Sequence, residues 1–278
     1  MRHHAPMRLP GSLLPQLSVL ALVISTAVPA PLALAGHDPL TGARTRLSKD
    51  WVGTRALAPG TPVLVLAGHA DSQGIAGAGT PGEAVALFGA APMQPDIRDE
   101  LFWNLAVAQE VVRLGQQRGL AIGFYDPQLR TIVNGDDPRT NWSVGRDHVR
   151  RGGYAVEIHF DAYGPDGFGS GLIPSLQQPL SRLDEALADA FGGFPARFRQ
   201  GLGAPRRGIA ILEIGKLEGP LEAALRDPYR RQATVEAIAA RVVQAIEAGL
   251  TPGPGGPGAA PLSPQPVGVG SVPPAMDR

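Results

Sequence analysis

The sequence of 278 residues contains no cysteine. This absence excludes a disulfide framework, a zinc ribbon, an iron–sulfur cluster and a thiol nucleophile, so any metal must be held by His, Asp and Glu. An excess of charge of either sign is also lacking, since 25 basic residues balance 25 acidic ones. Nucleic-acid binding depends on neutralising phosphates with a basic surface. We therefore expect no nucleic-acid partner.

The amino-terminal segment has the pattern of an export signal. Arg2 and Arg8 supply a positive start, an apolar stretch runs roughly through 13–28, and an Ala-x-Ala sequence ends at Ala35. This order is typical of a cleaved secretory signal. We expect a signal peptide over 1–35, export to the periplasm or cell envelope, and only transient membrane contact through the signal. The alternative is an uncleaved anchor, although a span takes about 20 apolar residues.

Glycine and proline are abundant, at 36 and 28 residues, and they are dense at the carboxyl end. The segment 251–278 holds eight prolines and six glycines with almost no charge. Such a segment buries too little apolar surface to offset the entropy cost of ordering it, so we expect a disordered tail. The rest divides into a lead-in over 36–60 and a core over 61–250, which is enough for one α/β domain.

Apolar runs and helical periodicity alternate along the core. Continuous or alternating apolar runs predict strands at 61–67, 120–125, 154–160 and 208–214. Apolar residues at helical spacing predict helices at 96–119, 143–151, 179–191, 221–226 and 229–249. This alternation predicts an α/β fold of three layers, with a mostly parallel twisted sheet and helices on both faces.

Polar residues fall where the predicted strands end. His69 follows the first strand, His159 lies at the end of the third, and Glu213 lies near the end of the fourth. Glu100 stands in the first turn of the first long helix. Parallel sheets bind ligands outside the carboxyl ends of their strands, so we expect these four side chains to converge. Two imidazoles and a carboxylate are a common open zinc site, and a second carboxylate beside it can take a proton from water.

Each of these residues also has a structural interpretation. A single histidine near a strand end is more often a hydrogen-bonded residue of the core than a metal ligand. Glu100 in a first helical turn also complements the helix dipole. For Glu213 the alternative is an ion pair with a basic neighbour on the chain. The candidates for that pair are Arg206, Arg207 and Lys216.

The order of the motifs carries a resemblance to a known family. The relevant segments are LAGHADSQG at 66–74, ELFWNL at 100–105, EIHFDA at 157–162, GSG at 169–171 and ILEIGK at 211–216. In this order they resemble the zinc-dependent N-acetylmuramoyl-L-alanine amidases of the amidase-3, AmiC-like family. The likeness covers about residues 61–249.

The sequence departs from that family's motifs at several neighbouring positions. Ala67 stands in place of Asp-Pro, Glu157 in place of Ser, Asp161 in place of Asn, and Lys216 in place of Phe. The metal-ligand and catalytic positions are kept. The changes alter the residues that surround the site, and we therefore expect them to affect which substrate is bound.

The resemblance implies an exported hydrolase that cleaves the amide between N-acetylmuramic acid and the L-alanine of the stem peptide. Its partner would be peptidoglycan and its cofactor Zn²⁺. His69, Glu100 and His159 would be the metal ligands. Glu213 would be the catalytic residue, taking a proton from the attacking water and passing it to the leaving amine.

Other charged residues are candidates for supporting roles. Arg146 and Arg151, together with Arg150, are candidates for binding a stem-peptide carboxylate, because a guanidinium suits bidentate recognition. A solvated surface charge is the alternative for each. Asp71 and Asp161 are candidates for orienting the histidines from outside the ligand set.

Alternative functions are compatible with the same pattern. One is another zinc-dependent amidohydrolase or carboxypeptidase of similar fold. A second is a catalytically inactive, peptidoglycan-binding amidase-like protein. A third is a structural protein of the envelope, for which loss of Glu213 would affect stability alone.

Overall fold

Strands and helices alternate along the chain of this computed structural model, which describes residues 36–47, 51–195, 198 and 200–251. The strands are β1 (His37–Asp38), β2 (Gly42–Ala43), β3 (Val63–Ala67), β4 (Ile122–Tyr125), β5 (Tyr154–Asp161), β6 (Gly171–Ile173) and β7 (Ala210–Lys216). The α-helices are α1 (Glu83–Ala86), α2 (Asp99–Gln117), α3 (Asn141–Arg150), α4 (Arg182–Phe191), α5 (Gly203–Arg206), α6 (Gly219–Arg226) and α7 (Arg231–Leu250).

The two predicted terminal segments fall mostly beyond this range. The predicted signal peptide over 1–35 lies outside the described residues, as does all but the first residue of the predicted tail over 251–278. No helix in the described part of the chain has both the length and the apolar character needed to cross a membrane.

Five strands form the main sheet in the order β4-β3-β5-β7-β6. The pairs β3–β4, β3–β5 and β5–β7 are parallel, and β6 pairs with β7 in the antiparallel direction at one edge. All eight residues of the central strand β5 are buried. Burial on both faces is typical of a parallel sheet that is covered by helices.

Side chains alternate between two cores, one on each face of the sheet. Val65 and Val156 point into the larger core, which includes residues of α2, α4 and α7. Leu66 and Ala155 point into the smaller core, against residues of α3 and α5. The predicted fold is therefore confirmed: it is α/β, with a mostly parallel sheet between two helical layers.

The predicted strands and long helices are all present, with ends that differ by a few residues. The elements that the sequence patterns did not predict are short ones: β1, β2, β6, α1 and α5. The longest of these spans four residues. A hydrophobic period of 3.6 or 2 residues cannot be recognised over so short a segment, so periodicity does not predict these elements.

The end of α7 lies directly against the backbone of α4. A Cβ added at Gly249 would lie 2.5 Å from the Cα of Leu183. In an open helix, replacing glycine by alanine stabilises by roughly 0.5–1 kcal/mol. Here we expect the opposite sign, because the new methyl group forces two helices apart. Gly249→Ala should lower the free energy of unfolding by about 1–3 kcal/mol, measured by urea denaturation.

The matched control is Gly60→Ala, where an added Cβ meets nothing within 4 Å. Its free energy of unfolding should stay within about 0.5 kcal/mol of the wild-type value. A Gly249→Ala protein as stable as the control would contradict the close packing of α4 and α7.

Candidate metal centre

Three neighbouring strands bring functional residues side by side at one end of the sheet. Ala67 of β3 pairs with Ile158 of β5, so Gly68 follows beside His159. His159 in turn pairs with Glu213 of β7. The register between β5 and β7 shifts just after His159, and such irregularities commonly redirect side chains next to active sites. The predicted convergence of strand ends is present for these residues.

The backbone after β3 is strained and is held in place by amide side chains. His69 has φ 62°, a left-handed conformation that is unfavourable for a side chain with a Cβ. Asn141 Nδ2 donates to Ala67 O at 2.7 Å, and Asn104 Nδ2 donates to Gly68 O at 3.0 Å. Gln73 Nε2 donates to His69 O at 3.0 Å. These contacts maintain a turn that directs the imidazole of His69 towards the sheet edge.

Glu100 lies between the two histidines. It stands in the first turn of α2 and is 4% exposed. Its Oε2 accepts a hydrogen bond from Thr80 N at 2.6 Å. Its Oε1 lies 3.3 Å from His69 Nε2 and 3.2 Å from His159 Nδ1. One oxygen therefore anchors the side chain to the backbone, and the other faces both imidazoles.

Gly68 makes room for the ring of His159. A Cβ at Gly68 would lie 2.2 Å from both Cε1 and Nε2 of His159, well inside van der Waals contact. The rings of His69 and His159 meet edge to face, with centroids 4.8 Å apart. Only glycine at position 68 is compatible with this ring position.

Carboxylates dominate the electrostatics of the site. Burial by itself lowers the pKa of His159, but hydrogen bonds to Glu100 and Glu157 and the charge of Glu213 raise it well above its usual value. Burial by itself raises the pKa of Glu100, but the charges and hydrogen bonds of His69 and His159 bring it well below the usual range. Three acidic side chains around two imidazoles stabilise a positive charge at this position.

The donor set fits a metal ion. His69, Glu100 and His159 each offer a ligand atom, and the three atoms lie within 4.8 Å of one another. Ligands about 2.0–2.1 Å from a tetrahedral zinc are about 3.4 Å apart, close to the two separations of Glu100 Oε1 from the histidine nitrogens. Two imidazoles and one carboxylate are a set that transition metals accept while keeping a coordination position open.

Glu213 lies at the same cavity as the three potential ligands. This cavity, of about 270 Å³, is lined by His69, Glu100, His159 and Glu213 among others. Glu213 is 4% exposed and lies between the apolar residues Leu212 and Ile214 of β7. Its position beside the donor set is compatible with proton transfer to or from a group held there.

A second cavity of about 330 Å³ adjoins the first and shares both histidines with it. Its walls are mostly apolar, with Trp142 and Ile211 among the larger side chains. Asp71 and Glu157 are its carboxylates. The two cavities meet at the imidazoles, so a ligand bound there has room on both sides.

Arg146 and Arg151 line neither of these two cavities. Arg146 lies within α3, where its Nε contacts Asp147 at 3.1 Å. Arg151 follows α3 and precedes β5, at the end of that strand opposite to His159. The structure does not bring either arginine to the histidines, and their role in substrate binding stays a prediction.

Glu157, which is not among the residues predicted to orient the histidines, contacts one of them from outside the donor set. Its Oε2 lies 3.3 Å from His159 Nε2. The candidates Asp71 and Asp161 make other contacts: Asp71 accepts from Asn141 N, and Asp161 accepts from Ala162 N and from the backbone that leads into β6. The alternation of β5 contained the signal, because residues 157 and 159 lie on one face of a strand.

The sequence matches no protein-family model and no curated protein. Solved structures do match, several of them N-acetylmuramoyl-L-alanine amidases. The apo form of Ami1 from Mycobacterium abscessus is 16% identical, with 68% of this chain and 99% of that chain covered and a TM-score of 0.46. The catalytic domain of CwlV from Bacillus (Paenibacillus) polymyxa is 19% identical, with 68% and 96% covered and a TM-score of 0.39. The resemblance described above rests on the order of the motifs and not on these superpositions.

Gly68→Ala should weaken metal binding without a change in any donor atom. The added methyl group displaces the ring of His159 and so separates Nδ1 from Glu100 Oε1. With Zn²⁺ as the probe and a chromophoric chelator as competitor, we expect the dissociation constant to rise about 10-fold or more. Gly60→Ala serves as the control, and equal affinities in the two variants would contradict the packing of His159 on Gly68.

The metal-free protein should lose stability as pH rises above neutrality. Because the pKa of His159 is raised on folding, its stabilising contribution is complete below the unfolded pKa of about 6.5 and is lost as pH rises through the folded pKa. Glu100 acts in the opposite sense, because its pKa is lowered on folding. Its contribution to the stability of the folded protein is complete above about pH 4.5 and is lost at lower pH. Urea denaturation in the presence of a chelator measures this dependence. In His159→Gln the decline above neutrality should be reduced, and an identical pH profile would refute the assignment.

Proposed function

We propose that this protein is an exported, zinc-dependent hydrolase that cleaves the amide between N-acetylmuramic acid and the L-alanine of the peptidoglycan stem peptide. The observation that carries the proposal is the grouping of His69, Glu100 and His159 with Glu213 beside them. The amidase-3 order of the motifs agrees with it. The signal-peptide pattern predicted over 1–35 supports export to the periplasm or cell envelope, where peptidoglycan is found.

Zinc is the proposed metal because of the donor types. His69 Nε2, His159 Nδ1 and Glu100 Oε1 would hold it, and catalytic zinc sites commonly have three protein ligands with a fourth position open. The chemistry that zinc supplies in such a site is activation of water as a nucleophile and polarisation of a carbonyl. The absence of cysteine leaves imidazole and carboxylate as the available ligands.

Glu213 is proposed to move the proton. One of its carboxylate oxygens takes a proton from the attacking water as the bond from water oxygen to carbonyl carbon forms. The same carboxyl then gives that proton to the amide nitrogen as the carbon–nitrogen bond breaks. The pairing of His159 with Glu213 across β5 and β7 fixes this carboxyl beside the donor set.

The two adjoining cavities are proposed to hold the two sides of the scissile amide. An amide at the histidines has space on each side, since both cavities share His69 and His159. The mostly apolar walls of the larger cavity exclude water from the reacting group. This arrangement favours a substrate that extends in both directions from the amide, as a glycan-linked peptide does.

Digestion of purified peptidoglycan by the zinc-loaded full chain tests the proposal. We expect new free amino groups on L-alanine together with unsubstituted lactyl groups on N-acetylmuramic acid. Glu213→Gln should retain about one zinc per chain and lose about 10²–10⁴-fold in turnover, the range for a general acid–base residue. Glu110→Gln, which removes a carboxylate paired with Arg113 on α2, should keep wild-type turnover.

Other products would point to the alternative functions. Release of terminal amino acids from the stem peptide would indicate a carboxypeptidase. Zinc binding and binding to peptidoglycan without any cleavage would indicate a non-catalytic protein of similar fold. Wild-type turnover in Glu213→Gln would contradict the proton-transfer role.

A further inference from the structure

Glu157 is a carboxylate of the site to which the proposed reaction assigns no role. Glu157 lies on β5 two residues before His159, so the two side chains lie on the same face of the sheet. It is 3% exposed, and its Oε2 is 3.3 Å from Nε2 of His159. The other ring nitrogen, Nδ1, is the one that lies 3.2 Å from Glu100 Oε1. The imidazole is therefore placed between two carboxylates, one on each nitrogen.

The two nitrogens of a neutral imidazole have different functions. One carries a proton and donates a hydrogen bond, and the other has a lone pair that can bind a metal. A carboxylate that accepts from the first nitrogen fixes the tautomer, fixes the orientation of the ring and increases the basicity of the second. At His159, an acceptor at Nε2 leaves the lone pair on Nδ1, which is the nitrogen that faces Glu100.

We propose that Glu157 is a positioning residue that holds His159 with a proton on Nε2 and with the Nδ1 lone pair directed at the metal position. The inference rests on the proposed function for the presence of zinc, but it concerns metal affinity and not the substrate. Glu157 acts through His159 and does not itself bind the metal. Serine occupies this position in the motif that the sequence resembles, so the contact distinguishes this chain.

A matched control separates this role from the loss of any largely buried carboxylate. Glu110 of α2 is 9% exposed and contacts Arg113. It lines neither of the two cavities. Removal of its charge leaves the contact at Nε2 of His159 intact, which makes Glu110→Gln the control.

Zinc affinity of the full chain is the first measurement. The metal-free protein and its variants are titrated with Zn²⁺ in competition with a chromophoric chelator, after circular dichroism has shown that each variant is folded. Glu157→Ala should weaken zinc binding by about 10–100-fold. Glu157→Gln keeps an oxygen that can accept from Nε2, so its loss should be clearly smaller. Glu110→Gln should remain near the wild-type dissociation constant.

The tautomer of His159 is the second measurement. Nitrogen-15 NMR of the imidazoles, with His159 assigned by its absence in His159→Gln, should show a proton on Nε2 and metal on Nδ1 in the zinc-loaded wild type. Glu157→Gln should show the same tautomer, because the amide oxygen still accepts a hydrogen bond from Nε2. A role of residue 157 in packing alone would not require this tautomer. Glu157→Ser provides a second truncated variant should Glu157→Ala fail to fold.

The outcomes separate this inference from the proposed function. Wild-type zinc affinity in the truncated variants would overturn the inference, as would equal losses in Glu157→Ala and Glu110→Gln. Normal zinc binding with the expected losses, but no cleavage of peptidoglycan, would overturn the proposed function and leave the role of Glu157 standing. A wild-type chain that binds no zinc would contradict both.

Discussion

A buried carboxylate shared by two imidazoles is the contact on which the site depends. Glu100 is removed from water, and a carboxylate in that environment is stable only when it is paired and hydrogen-bonded. Its partners come from three separate segments: the strained turn after β3, the backbone at Thr80 and the end of β5. Satisfying this one group therefore fixes the start of α2 relative to two strands of the sheet.

The parallel sheet supplies the rest of the arrangement. Because β3, β5 and β7 run in the same direction, their carboxyl ends bring Gly68, His159 and Glu213 into one row. The row requires a residue without a Cβ next to the imidazole, and Gly68 meets that requirement. The side chains on the opposite face of the same strands form the larger apolar core. Successive side chains of each strand point to opposite faces of the sheet. One set of side chains therefore packs in the apolar core that stabilises the domain, and the other set includes the polar residues of the site.

Most of the fold was predictable because its main elements are long enough to show a period. The apolar run of β3 predicts a strand, and the apolar spacing along α2 and α7 predicts helices. The segments β6 and α5 are too short to show either pattern. The order of alternating elements then determines a parallel sheet, and the ends of parallel strands mark the place of a site.

The donor residues of the site were predictable for the same reason, but their supporting contacts were not. Asn104 and Asn141 bind backbone carbonyls 36 and 74 residues away along the chain. Thr80 contributes only its backbone to Glu100. Contacts between distant segments, made through main-chain atoms, leave no pattern in the sequence. Glu157 is the exception, because its spacing of two residues from His159 places both on one face of β5, although the sequence analysis proposed Asp71 and Asp161 instead.

The central claim is that His69, Glu100 and His159 form a metal site at the carboxyl ends of the parallel strands. Anomalous diffraction at the zinc edge, from crystals of the zinc-loaded protein, tests it most directly. We predict one strong peak between His69 Nε2, His159 Nδ1 and Glu100 Oε1, with Glu213 beside it and not bound to it. A peak elsewhere on the chain, or no peak in protein that has been given zinc, would contradict the account.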